Sequence, residues 1–364
     1  MPISGPGAAE PEWHRGPGGL GTGTKFPLKG TEEEKTMTFT KAMRAALLAV
    51  PVALAGGFAT AETLNMYTTQ SGTTLPAVRG LQKFAEEVGE QTGGDVKVRL
   101  HLAGTLSINA ADATSAVAAN IVQMAEDLFF SGSVPIATAL RLPLVVGDVA
   151  NMDAALEASL DPVSEAYAAK GITVLAGYLS PPQYIWSTEE VGSLADLENL
   201  KLRVSSPEQA EFVKSLGAVP IVLAPAEVSA ALERGVVDGL LTSGLGGEFF
   251  GGPLKSALLL PVNYNNNYFI INTAVYERLT PEQQETLTEL AASNAQWIEE
   301  EFLKIDFEAI DRFRARDDFS VVDVSEPDMA MASGVAEPMW TNWVDKHGEA
   351  GRSMYDAIRS GIGD

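Results

Sequence analysis

The chain has 364 residues, with 25 Lys and Arg against 48 Asp and Glu, and no cysteine. A formal charge of −23 leaves no basic face for nucleic-acid phosphates, and without thiols there are no disulfides, cysteine nucleophiles or zinc–cysteine sites. A chain this long buries enough core to fold without cross-links.

Residues 1–36 are rich in Gly and Pro and show no apolar periodicity. The run Gly16-Pro17-Gly18-Gly19-Leu20-Gly21 has no strand before it and no helix after it, so it is not a dinucleotide loop. This leader is expected to be non-native or the product of a mis-assigned start, with translation from Met37. Residues 37–61 read as a signal peptide: Lys41 and Arg44 are the positive leader, 45–58 is apolar, and Ala59-Thr60-Ala61 is a small-residue cleavage site. The apolar run is shorter than the roughly 20 residues of a membrane span. A processed chain beginning near Glu62, with no stable membrane insertion, is therefore expected in the periplasm. The first 61 residues hold six basic and five acidic residues, so the remainder carries 19 positive against 43 negative side chains. Such a field opposes an anion, which needs a local positive group to hold it.

From residue 62 the pattern alternates. A strand over 63–69 precedes a helix over 75–92, in which Leu81, Phe84, Ala85 and Val88 recur at helical spacing. Gly93-Gly94 ends it, 96–100 alternates as a strand, and a helical stretch over 111–120 leads into a strand at 121–124. Further strands are expected at 171–176, 200–204, 219–223, from 236, and at 267–271. Helices fall between them, including one over 225–234. This rhythm predicts α/β architecture with parallel, doubly wound sheets. A capping box with Pro at the first helical position, Thr280-Pro281-Glu282-Gln283, opens the strongest helix. Running to about 317 it would exceed 50 Å at 1.5 Å per residue; the alternative is a break near Glu299-Glu300-Glu301.

Within 200–204, alternation sends Leu200, Leu202 and Val204 to one face and Lys201 and Arg203 to the other. Arg203 thus ends a strand just before the turn-prone Ser205-Ser206-Pro207. A guanidinium there meets an anion bidentately at the strand's carboxyl end, or else sits on a solvated sheet edge. Tyr184 and Trp186, in Gln183-Tyr184-Ile185-Trp186, offer either an apolar, stackable wall or plain core. Gly244, Gly246 and Gly247 either admit a ligand close to the backbone or make a surface turn. Glu227, in the first turn of a helix, and Asp238, in a turn, read as structural.

Several words in one order carry a resemblance: Ser193-Leu194-Ala195-Asp196-Leu197, Leu200-Lys201-Leu202-Arg203-Val204, Leu216-Gly217-Ala218 with Pro220, Glu227-Val228, Ala231-Leu232 and Gly235-Val236-Val237-Asp238-Gly239. From about Glu62 onward the chain resembles the solute-binding proteins of TRAP transporters, of the C4-dicarboxylate-binding type. The resemblance implies a two-lobed periplasmic-binding-protein fold braced by a long helix bridging the lobes. One lobe would take 62–180 and 265–305, the other 181–264 and 306–364. It implies that Arg203 grips the ligand's carboxylate and that membrane permease subunits are the partner. Relatives carry an arginine or polar group at the place of Gln183; an amide there favours a monocarboxylate with an apolar or aromatic body. The same likeness marks Thr242 as a hydrogen-bond partner and Glu126 or Asp127 as a contact for the ligand's polar end. Tyr67, Thr69 and Gln70 at the first strand's end are further candidates, as are Asn265, Asn266 and Asn267.

No cofactor and no metal are implied. The three histidines, His14, His101 and His347, form no paired metal spacing, and no nucleophile elbow or P-loop lysine occurs. The alternatives are a secreted α/β enzyme acting on a small acid, or a binding protein of another importer or a sensor.

Overall fold

A computed structural model describes residues 61–223 and 225–363. The leader over 1–36 and the signal peptide over 37–61 lie outside the described residues, apart from Ala61. The first half runs β1 (Glu62–Thr68), α1 (Pro76–Gln91), β2 (Val96–His101), α2 (Ala113–Ala118), β3 (Met124–Asp127), α3 (Met152–Ala168) and β4 (Ile172–Leu179). Next come β5 (Gln183–Ser187), β6 (Lys201–Val204), α4 (Pro207–Ser215), β7 (Val219–Val222), α5 (Pro225–Glu233), β8 (Gly239–Thr242), α6 (Gly244–Phe250) and β9 (Ser256–Asn263). The chain ends with β10 (Asn266–Asn272), α7 (Thr273–Tyr276), α8 (Pro281–Arg314), β11 (Ser320–Asp323) and α9 (Glu326–Gly361). The strand expected at 121–124 begins only at Met124. Asn120 turns the chain at φ 55°, which leaves Ile121 exposed.

Two sheets result, with orders β2-β1-β3-β10-β4 and β11-β9-β5-β8-β6-β7. Each is parallel except for one strand: β10 runs antiparallel to β3 and β4, and β5 antiparallel to β8 and β9. This departs from the expected all-parallel sheets, and the connections explain it. β4 reaches the carboxyl edge of its sheet at Leu179, and only 180–182 separate it from β5 in the other sheet. β9 likewise ends at Asn263 and re-enters as β10 after 264–265. A strand that arrives through so short a crossing must start at the edge where its predecessor stopped, so it runs backwards. The crossings therefore set the carboxyl edges of the two sheets against one another, and the gap between them is the place for a ligand in open α/β sheets.

Each sheet is covered on both faces by its own apolar clusters. α8 is one continuous helix of 34 residues, about 50 Å long at 1.5 Å per residue. Leu287 to Ile298 lie in the first sheet's core, and Ile310 and Phe313 in the second's. Its cap is the box expected: Thr280 Oγ1 accepts from Gln283 N at 3.2 Å and Gln283 Oε1 from Thr280 N at 3.0 Å. α9 corrects the expected lobe boundary. Ala332, Ala336 and Met339 pack with the second sheet, but Trp343, Val344, Met354 and Ile358 pack with the first. The helix is broken at Gly348, whose φ of 60° and ψ of −138° are glycine's region.

α8 also holds each lobe through a buried carboxylate. Glu299 accepts from Leu179 N at 2.6 Å, at the end of β4, and Asp306 from Leu245 N at 2.8 Å, at the start of α6. Burial, with Asp153 and Glu300 nearby, raises the Glu299 pKa to about 7 from 4.5. A carboxyl whose folded pKa is raised contributes stability in full below about 4.5, and loses it as pH rises through about 7. The expected loss is about 3 kcal/mol at 1.36 kcal/mol per pKa unit. Glu299→Gln, which keeps an acceptor for Leu179 N, should match the parent near pH 5 and exceed it in denaturant midpoint at pH 8. An equal pH dependence in both proteins would reject this assignment.

Candidate functional site

The edge of the second sheet is built around the turn after β6. Leu202 and Val204 enter the core under α4 and α9, so Arg203 faces the opposite side, where α5, α6 and α8 lie. Arg203 is only 6% exposed. Its Nε and Nη2 donate to Leu223 O at 3.1 and 3.0 Å, which pins the fork to the end of β7. Among the described residues Nη1 has no partner, and it is not sealed from solvent. No carboxylate pairs with Arg203 among the described residues, and burial alone pushes its pKa below the ordinary value. A guanidinium desolvated without a counter-ion is costly unless an anion completes it. The turn beside it is fixed by polar ties: Gln209 accepts from Ser205 N at 2.8 Å and donates to Asn263 Oδ1 at 2.9 Å, joining α4 to the end of β9.

The first sheet presents a different chemistry. Glu126 and Asp127 are neighbours on β3, so alternation sends them to opposite faces, and both are buried. Glu126 accepts from the Thr68 and Tyr178 hydroxyls; Asp127 accepts from Thr114 at 2.5 Å and Tyr167 at 3.2 Å. Burial raises the pKa of each, against the hydroxyl bonds that lower it. Glu126 shares the α8 side with Arg203, whereas Asp127 faces α2 and α3.

The remaining candidates divide by face. Gln183 begins β5 with its Nε2 donating to Pro181 O at 3.2 Å, on the side of Ile185 and α9. Asn266 is buried, accepting from Arg141 and donating to Ala137 O and Tyr268 OH. Asn267 donates to Ser180 Oγ at 3.0 Å, and Asn265 is half-buried in the crossing. These amides tie the crossing segments together. Tyr67 donates to Ile108 O at 2.9 Å within its own lobe; Thr69 and Gln70 are half-buried at the end of β1. Asp238 accepts from Lys201 N at 2.9 Å, the structural role expected of it.

Trp186 is 0% exposed and packs against Phe313 and Phe319, with Nε1 donating to Thr242 O at 2.9 Å. It is core, the second of the two readings open for it. Tyr184 shares that face, paired with Thr242 across β5 and β8. The glycines of α6 allow close packing. A Cβ on Gly247 would stand 2.6 Å from the Trp186 indole, and one on Gly246 would stand 1.9 Å from Thr242 Oγ1. They let α6 close over these side chains.

One residue of the site was not anticipated. Arg141 is 7% exposed, with its guanidinium carbon over the Phe130 ring, 4.3 Å from the centroid. It donates to Asn266 Oδ1 at 2.8 Å, Asn266 O at 2.9 Å and Leu128 O at 2.6 Å, clamping the end of β3 to the start of β10. The signal was present, since Ala139-Leu140-Arg141-Leu142 sets a lone arginine in an apolar run as β6 does.

Residues 67–347 match the family model described as bacterial extracellular solute-binding protein, family 7 (DctP). An uncharacterized protein of Salmonella typhimurium, YiiZ, is 27% identical over 224 residues, 57% of this chain and 66% of that protein, so the match spans just under two thirds of its length. The crystal structure of DctP7, an extracytoplasmic solute receptor of Bordetella pertussis binding pyroglutamic acid, superposes with a TM-score of 0.74 at 22% identity, covering 82% of this chain and 100% of that one. A TRAP periplasmic solute-binding protein of Roseobacter denitrificans with bound β-D-glucuronate gives a TM-score of 0.70 at 24% identity, covering 82% and 99%. At such identities these two establish the two-lobed fold.

Proposed function

Because the chain belongs to family 7 of the bacterial extracellular solute-binding proteins, the receptors of TRAP transporters, we propose that it captures a small organic acid between its lobes. Arg203 is the anchor, and the acid is delivered to membrane permease subunits. The family is one of binding receptors, not enzymes. The observation that carries the ligand class is the buried Arg203 fork with no carboxylate beside it among the described residues. A captured carboxylate supplies the missing charge. Contacts from both sheet edges then favour the closed form, by a shift of population.

The favoured acid carries one carboxylate. Gln183, at the start of β5 with β8 between it and β6, brings an amide, and the buried Arg141 is already held by Asn266 and Leu128 O. Pyroglutamate and glucuronate, named with two structures of this fold, each have a single carboxylate and several hydrogen-bonding oxygens. The apolar or aromatic body expected from the sequence loses support, because Trp186 lies beneath α6. No helix among the described residues is long and apolar enough to cross a membrane.

A thermal-shift series tests the ligand class. Pyroglutamate, glucuronate and other monocarboxylates are compared with succinate and malate, at matched ionic strength. Ligand at about 100 times its dissociation constant adds roughly 2.7 kcal/mol. Stabilisation by at least one monocarboxylate and by neither C4-dicarboxylate is expected; the opposite pattern overturns the single-carboxylate reading.

A further inference from the structure

Leu144 is held in a backbone conformation that leucine avoids. Val145 N donates to Leu142 O at 3.2 Å, closing a tight turn with Pro143 second and Leu144 third. The proline ring keeps its own φ negative, and Leu144 has a φ of 58°. That combination is a type II turn, whose third place calls for Gly or Asn. Among the described residues three non-glycines have a positive φ, and the other two, Asn120 and Asn199, are asparagines. A leucine in this place persists only when its surroundings hold it there.

Those surroundings belong to the opposite lobe. The turn is rooted in the first lobe, since Leu142, Val145 and Val146 are part of the first sheet's core. Leu144 itself is 6% exposed and joins the second sheet's core, in the cluster that contains Val262 and Met339. Its N–H donates to Val262 O at 2.8 Å, near the end of β9 and just before the crossing at 264–265. Trp340 of α9, packed against both cores, steadies the turn by donating from Nε1 to Pro143 O at 2.7 Å. A glycine at 144 would suit the turn and reach nothing across the gap. What the position uses is the side chain.

We infer that Leu144 is a positioning residue for closure, a peg from the first lobe seated in the core of the second. It lies at the crossings, where a hinge rotation displaces the chain least, so that motion leaves it seated. A twist or slide of one lobe on the other draws it out of an apolar core, which is unfavourable. The peg thus confines the lobes to one motion and keeps the Arg203 edge in register with the edge opposite. Its consequence for acid capture rests on binding between the lobes; the peg itself does not.

The test uses the protein without any acid. Because the chain has no cysteine, Lys97→Cys and Lys214→Cys, at exposed positions of β2 and α4, take one spin label in each lobe. Pulsed electron resonance then reads the distribution of distances between the lobes. Leu144→Gly, which relaxes the turn and removes the peg, is expected to broaden or shift that distribution. Leu144→Met, which keeps an apolar reach, should match the parent. An unchanged distribution in folded Leu144→Gly overturns the inference even where the melting temperature falls, since that is the mark of packing alone. Equal broadening in Leu144→Met and Leu144→Gly overturns it too. Should Leu144→Gly fail to fold, Leu144→Ala, which cuts the peg to a methyl, is read in the same way. No outcome depends on Arg203 or on the class of acid.

Discussion

Arg203→Ala is expected to abolish acid capture while leaving the unliganded protein folded and at least as stable. Truncating one partner of a desolvated, hydrogen-bonded charge pair costs about 2–5 kcal/mol of binding, or roughly 30- to several-thousand-fold in affinity. Stability should behave differently, because among the described residues this buried guanidinium has only the Leu223 carbonyl to offset its lost hydration. Removing it removes a desolvation cost along with two hydrogen bonds. Arg203→Lys should also bind poorly, since a point charge cannot reproduce the fork. Calorimetry with the best acid from the thermal-shift series measures the first effect and the melting temperature measures the second. Affinity unchanged in Arg203→Ala sinks the anchor; a large fall in melting temperature sinks the claim that the residue waits for an anion.

Trp186→Ala should do the reverse. The indole fills the space between β5, α6 and α8, in van der Waals range of Phe313 and held by its bond to Thr242 O. Truncating a buried tryptophan costs about 3–5 kcal/mol of folding stability. That is a drop on the order of 10 °C in melting temperature for a chain of this size. Acid affinity, measured well below the transition, should fall far less than in Arg203→Ala. Near-parental stability with lost affinity would restore the indole to the ligand wall. The glycines of α6 belong to the same packing unit, since Gly247 leaves room for the ring and Gly246 for Thr242.

Much of this was legible in the residues because it is local. The alternation of Leu200 to Val204 separated Arg203 from the core face, and β6 carries it as expected. The capping box at Thr280 located the start of α8, and the periodic apolar positions after it located its buried stripe. Illegible were the properties that depend on what lies opposite. Glu126 and Asp127 differ by one position on a strand, and only their neighbours, Tyr178 on one face and Tyr167 on the other, separate them. Tyr184 and Trp186 read alike in sequence, yet one lines a cavity and the other is sealed under a helix.

The amino-acid order by itself determined the elements, the faces of the strands and the isolation of a cation at a strand's carboxyl end, because backbone periodicity and capping act over a few residues. The tertiary structure alone decided the reversed directions of β5 and β10, the division of α9 between two cores, and which polar side chains lost water. Those outcomes follow from pairings between segments up to hundreds of residues apart. Arg141 and Asn266 meet across 125 positions, and Arg203 acquires its fixed fork only because β7 is laid beside β6.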